Sequence, residues 1–153
     1  MNSSIAKWVD LPPVWLCLFL ALAWVQSSNL GIFQGAPAII DLLGGLGVGA
    51  GVLLIALAAV ELRRARTTII PHQPPEALVT TGIYRRTRNP VYLGDTLILT
   101  GLILRWEAWP SLLLVPLFVW VITDRFILGE EGRLVDAFGP AFDRYAQGTR
   151  RWL

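Results

Sequence analysis

From Ala38 to Val60 the chain carries an apolar run long enough to cross the roughly 30 Å hydrocarbon core of a bilayer. Such a run leaves few structural choices. In lipid every backbone amide and carbonyl must be bonded internally, which only a helix or a closed barrel achieves. Three more apolar stretches accompany it: Pro12 to Gln26, Val91 to Leu104, and Trp109 to Ile122, the last continuing through Thr123 and Asp124 towards Leu128. At 54% hydrophobic and 16% charged over 153 residues, the chain is too apolar for an ordinary soluble domain. The reading is an all-α integral membrane protein of about four transmembrane helices. A single membrane domain covers 1–153, with helices over 12–28, 38–60, 90–105 and 109–128, a cytoplasmic loop over 61–89 and a cytoplasmic C-terminal segment over 129–153.

The first run is read as a helix of the mature fold, not a secretory signal. Lys7 is a lone cation offset by Asp10, and no small-x-small cleavage pattern follows Ser27 and Ser28. The single cysteine, Cys17, excludes an internal disulfide and a thiolate metal cluster. It is expected to be a small buried hydrophobe. In the second run, small residues four apart, Gly45 with Gly49 or Gly47 with Gly51, predict close helix packing. Trp106 and Trp109 bracket a tight turn, with Pro110 suited to the first position of the fourth helix.

Orientation follows from the cations. Arg63, Arg64, Arg66, Arg85, Arg86 and Arg88 lie between runs two and three, and Arg125, Arg133, Arg144, Arg150 and Arg151 follow run four. Both segments should be cytoplasmic by the positive-inside rule, which puts both termini inside. A net charge of +2 is not a nucleic-acid signature, because these arginines sit at membrane boundaries.

Two polar constellations stand out. From Pro71 to Gly94 the chain reads PHQPPEALVTTGIYRRTRNPVYLG and then enters a helix. Asn89 suits its N-cap and Pro90 its first position, so the first-turn amides would lie beside Arg85, Arg86 and Arg88 as an anion site. Inside that helix Tyr92, Asp95 and Thr96 can share a face, and a carboxylate at membrane depth suggests function. The second constellation begins with Glu130 and Glu131 at the exit of run four, where two acids invite a cationic ligand or the arginines of the preceding loop. Beyond them Leu134, Val135, Phe138, Phe142 and Tyr145 keep a helical spacing, interrupted at Gly139 and Pro140, as in an amphipathic helix.

LVTTGIYRRTRNPVYLG (Leu78 to Gly94), a hydrophobic hairpin, the Glu130–Glu131 pair, Phe138–Gly139, Tyr145 and the terminal Arg-Arg-Trp together resemble the isoprenylcysteine carboxyl methyltransferases and the related phospholipid methyltransferases, in a bacterial-type form. The resemblance covers about the last 80 residues. It implies an S-adenosyl-L-methionine enzyme without a Rossmann domain, acting on a lipid-like or prenylated acceptor and needing no metal. Carried over, the cofactor contacts are Leu78, Val79, Tyr84, Asn89, Pro90, Tyr92 and Glu130, with Arg85, Arg88, Glu131 and His72 as further candidates. Tyr92, Asp95 and Arg88 would align the reactants, and Arg125 and Asp95 would contact the acceptor.

Two departures matter. Asn89 replaces the histidine usual in eukaryotic members and cannot titrate. An arginine associated with substrate falls at Phe126, with Arg125 beside it. A prenylcysteine-type carboxylate therefore ranks first as acceptor and a phospholipid amine second, since no histidine at 89 can take an amine's proton. A nicotinamide-dependent sterol-type reductase and a noncatalytic scaffold are the competing classes.

Overall fold

The computed structural model describes residues 10–29, 35–67 and 76–153, and among them every regular element is a helix. Helix α1 is Pro12–Asn29, α2 is Ala38–Arg64 and α3 is Pro90–Arg105. A fourth rod, α4, runs over Trp109–Phe138, and α5 is Pro140–Gly148. Two of these, α2 and α4, have the length and apolarity to cross a membrane. The outer face of α2 exposes Leu42, Leu46, Leu53 and Leu57, as expected of a helix solvated by lipid. Its ends are charged in the sense the helix dipole favours, with Asp41 in the first turn and Arg63 and Arg64 in the last.

The predicted exit of the fourth helix near Leu128 is corrected. The rod opens as a 3-10 turn at Trp109–Leu113, becomes α-helical over Leu114–Ile122, widens to a π-helical turn at Thr123–Ile127 and continues as α-helix over Leu128–Phe138. Neither Gly129 nor Gly132 stops it. The stop is Gly139, whose φ of +45° suits glycine, followed by Pro140, which starts α5. Glu130 and Glu131 consequently stand within the fourth helix and not at its exit.

Helices α2 and α3 cross through glycines. A Cβ on Gly51 would lie 2.5 Å from the Gly94 carbonyl oxygen, and one on Gly44 would lie 2.7 Å from that of Gly101. These pairs are two turns apart on each helix, and of the two predicted pairs Gly47 with Gly51 faces α3 whereas Gly45 with Gly49 does not. Gly47 packs on Gly101 and Leu97, whereas Gly49 meets nothing within 4 Å. Backbone contact of this kind maximises dispersion where lipid removes the hydrophobic drive.

Helix α1 closes the other side. Phe19 meets Phe118 edge-on with ring centroids 5.2 Å apart, within a core that includes Leu99, Ile103, Ile122, Phe126 and Ile127. At the α3–α4 turn, Ser27 Oγ donates to the Trp106 carbonyl (2.7 Å) and Ser111 Oγ to Gln26 Oε1 (2.9 Å). Cys17 points outward, contrary to the expectation of burial, because an outward face in lipid can be as apolar as the core.

Candidate active site

The site grows from the turn into α3. Asn89 takes the N-cap position and Pro90 follows it, as the sequence predicts, but the Asn89 side chain does not cap. Its Nδ2 donates instead to the Arg151 carbonyl (3.0 Å), while the backbone amide of Asn89 donates to Thr87 Oγ1 (3.2 Å). Thr87 Oγ1 in turn donates to the same Arg151 oxygen (3.2 Å), and the Arg88 amide donates to the Arg150 carbonyl (3.0 Å). The last residues of the chain are thus stitched to the turn that opens α3.

The acidic pair on α4 divides its work. Glu131 receives both Arg151 Nε (3.1 Å) and Nη2 (2.7 Å), a forked pairing that fixes direction as well as charge, and Arg88 Nη2 lies 3.4 Å from Glu131 Oε1. Glu130 instead reaches Tyr92 on α3, whose hydroxyl donates to Oε1 at 2.7 Å. Two adjacent acids on a helix point about 100° apart, so one can serve the tail while the other faces the α3–α4 seam. Asp95, one turn deeper on α3, is buried within electrostatic reach of Tyr92.

Tyrosines complete the wall. Tyr84 follows Gly82 in the 3-10 turn Gly82–Arg85, and Tyr145 on α5 donates its hydroxyl to the Tyr84 carbonyl (2.7 Å). Burial, reinforced by Tyr145 and Glu130, raises the Tyr84 phenol above its ordinary range, and burial pushes Tyr145 up to about 12. Both remain neutral hydrogen-bonding groups at physiological pH. The loop before them is anchored to α2, where Glu61 accepts from Thr81 Oγ1 at 2.7 Å.

Arg88 is the unusual member. Its guanidinium lies 5.9 Å from the Phe142 ring centroid and pairs with Glu131, yet its Nε is buried without a hydrogen-bond partner. An orphaned donor on a guanidinium held by Glu131, the residue next to Glu130 on α4, gives the site one unspent cationic contact. Arg85 is exposed, Val79 and Pro90 are buried, and Leu78 is half-buried.

Not every predicted residue joins this cluster. Arg125 stacks over Trp15 (5.1 Å to the centroid) and pairs with Asp10 at 3.3 Å, facing α1. Phe126 is core. His72 lies outside the described residues. Sequence reasoning missed Thr87, Arg151 and Glu61 as organisers of the site; the terminal Arg-Arg-Trp was the signal for Arg151, and Thr87 offered none.

Arg151→Ala should free the C-terminal segment, costing about 1–3 kcal/mol for the lost charged contacts. Digestion from the C-terminus by carboxypeptidase, set against thermal unfolding, reads it. Lysine should not restore the wild-type rate because it cannot make the fork. Equal digestion of wild type and Arg151→Ala would show that the pairing does not hold the tail.

The phospholipid methyltransferase family model matches residues 39–141. Comparison with individual curated proteins and with solved structures gives no match. The matched span takes in all of α2 but its first residue and the whole of α3 and α4, with the Tyr92–Glu130 bond and the Arg88–Glu131 pair, and the chain therefore belongs to the phospholipid methyltransferase family of membrane methyltransferases.

Proposed function

We propose that the protein is an S-adenosyl-L-methionine-dependent methyltransferase acting at the membrane interface on a lipid-like acceptor. The observation that carries this reading is the Tyr92–Glu130 bond across α3 and α4, next to the Glu131 that holds Arg88 with its Nε unpartnered. The cofactor's methionine end bears both an ammonium and a carboxylate. Glu130 takes the first and Arg88 the second, each as a charge-assisted contact. Arg88 suits the role better than Arg85, whose side chain is exposed. Tyr84, Val79 and Pro90 wall the site, Leu78 and Asn89 border it, and Glu131 acts by holding Arg151 and Arg88 in place.

When bound, the cofactor supplies an electrophilic methyl group on a sulfonium. What the chain must add is alignment of an in-line attack and exclusion of water. Tyr92 and Glu130 orient each other, and the tail held by Arg151 closes the side away from the bilayer. The acceptor, anchored by its apolar chain, brings its nucleophile to headgroup depth. A prenyl chain of about fifteen carbons gains roughly 0.8 kcal/mol per buried methylene, ample for partitioning. A thioether carboxylate needs no proton removed, which supports ranking it first; a lipid amine must first lose a proton to a base, and ranks second.

Radiolabelled methyl transfer in liposomes tests the proposal, with product sorted into base-labile ester and lipid headgroup fractions. Label in neither fraction, from protein that also fails to bind S-adenosylhomocysteine, would refute it.

In this reading α1 and α3 also cross the membrane, and the site and both termini are cytoplasmic. Single cysteines at 105–108 should label from outside intact cells, in a Cys17→Ser background, and those at 140–150 should not. Outside labelling of the 140–150 positions would place the site on the wrong face.

A further inference from the structure

Glu61 is an acid at the wrong end of its helix. It lies in the last turn of α2, where the helix dipole favours the neighbouring Arg63 and Arg64 and disfavours a carboxylate. Its ion pair with Arg64 (3.2 Å) does little to offset this, because that arginine's side chain is 73% exposed. The Glu61 side chain is nonetheless only 14% exposed. What covers it is the turn that leads towards α3. Thr81 Oγ1 donates to Glu61 Oε2 at 2.7 Å, and a Cβ on Gly82 would lie 2.5 Å from Glu61 Cδ and 2.6 Å from Oε1. Gly82 also has a φ of +55°, so glycine alone suits both the bend and the close approach.

The consequence runs to Tyr84. Thr81, held through its hydroxyl by Glu61, accepts from the Tyr84 amide through its carbonyl (3.0 Å). On the far side the Tyr84 carbonyl accepts from the Tyr145 hydroxyl of α5 (2.7 Å). Tyr84 is therefore clamped between α2 and α5, with its buried phenol close enough to Glu130 to feel that charge. A single 3-10 turn has weak hydrogen-bond geometry of its own. Arg85 and Arg86 add no support, being exposed and paired with no acid among the described residues. The turn depends on its two anchors.

We propose that Glu61 is a positioning residue of the methyltransferase: by holding Thr81 it sets the turn that presents Tyr84 to the cofactor site. Helix α2 thus shapes cofactor binding without touching the cofactor. The inference rests on the methyltransferase reading above, in which Tyr84 walls the site, and it supplies what fixes that wall.

The test is equilibrium binding of S-adenosylhomocysteine to the full chain in phosphatidylcholine nanodiscs. Glu61→Ala and Thr81→Val should each weaken it roughly three- to tenfold, the range of one hydrogen bond's net contribution. Glu61→Gln still accepts from Thr81 and should stay within about twofold of wild type, as should Arg64→Gln, which removes only the exposed ion pair. In a Tyr84→Ala background Glu61→Ala should cost nothing further, because its effect passes through Tyr84. Trypsin cleavage after Arg85 and Arg86 reports the turn itself and should be faster in Glu61→Ala and Thr81→Val than in wild type or Glu61→Gln. The unfolding midpoint of each variant separates release of the turn from loss of the bundle. An undiminished affinity in Glu61→Ala overturns the proposal. So does a loss that Glu61→Gln shares, or one that adds in full to that of Tyr84→Ala. Wild type that binds no S-adenosylhomocysteine would sink the methyltransferase reading itself, whereas any of those outcomes in a protein that does bind it overturns this inference alone.

Discussion

Gly51→Val should destabilise the helix bundle by about 3 kcal/mol, at the upper end of what overpacking does in a close-packed core. The reason is that the added atoms meet backbone. A Cβ at Gly51 would stand 2.5 Å from the Gly94 oxygen, 2.7 Å from Ile98 Cγ1 and 3.1 Å from the Ile98 amide nitrogen. A side-chain neighbour could rotate away, but a carbonyl moves only with its helix. Separating α2 from α3 would also shift Gly94, which sits between Tyr92 and Asp95, so methyl transfer should fall with stability. Gly49→Ala is the matched control. Nothing lies within 4 Å of that position, and replacing glycine inside a helix gains roughly 0.5–1 kcal/mol. Thermal unfolding followed by size-exclusion chromatography in detergent separates the two. Equal midpoints for wild type and Gly51→Val would mean that the crossing is not as close as described.

Much of this architecture is legible in the chain because a bilayer imposes simple rules. The apolar runs predict the helices at 12–28, 38–60 and 90–105 to within a few residues of α1, α2 and α3. Asn89-Pro90 marks the start of α3 and Gly139-Pro140 the break before α5. The fourth helix escapes the same treatment because glycines and acids after Leu128 look like an exit. Only the π-helical turn and the packing of Phe126 and Ile127 reveal that the rod continues.

Hydrophobic spacing says nothing about which glycines touch when every face of a helix is apolar. That is why Gly45 and Gly49 look as suitable as Gly44 and Gly51, and why Cys17 looks like core. Within the site, the family pattern singles out Tyr92 and Glu130 separately but not the bond between them, and the bond from Asn89 to Arg151 spans 62 positions and has no local signature. Arg125, adjacent in sequence to the core residue Phe126, is turned by its place in the helix towards Asp10 and Trp15.

Glu130→Gln carries the other large effect. The carboxylate faces Tyr92 across the α3–α4 seam, and in the proposed site it is the anion that meets the cofactor's ammonium. Glutamine keeps the shape and the ability to accept from Tyr92 but removes the charge, so the loss should appear in binding more than in folding. A charge-assisted hydrogen bond contributes about 1.5–3 kcal/mol, which is roughly a tenfold to hundredfold change in affinity. The direct measurement is equilibrium binding of S-adenosylhomocysteine to wild type and Glu130→Gln in nanodiscs, with NADPH as the comparison ligand and the unfolding midpoint recorded for each. Saturable S-adenosylhomocysteine binding by wild type, weakened by that factor in a variant of unchanged midpoint, is the result this account predicts. Binding of NADPH in its place, or an S-adenosylhomocysteine affinity untouched by the substitution, would contradict it.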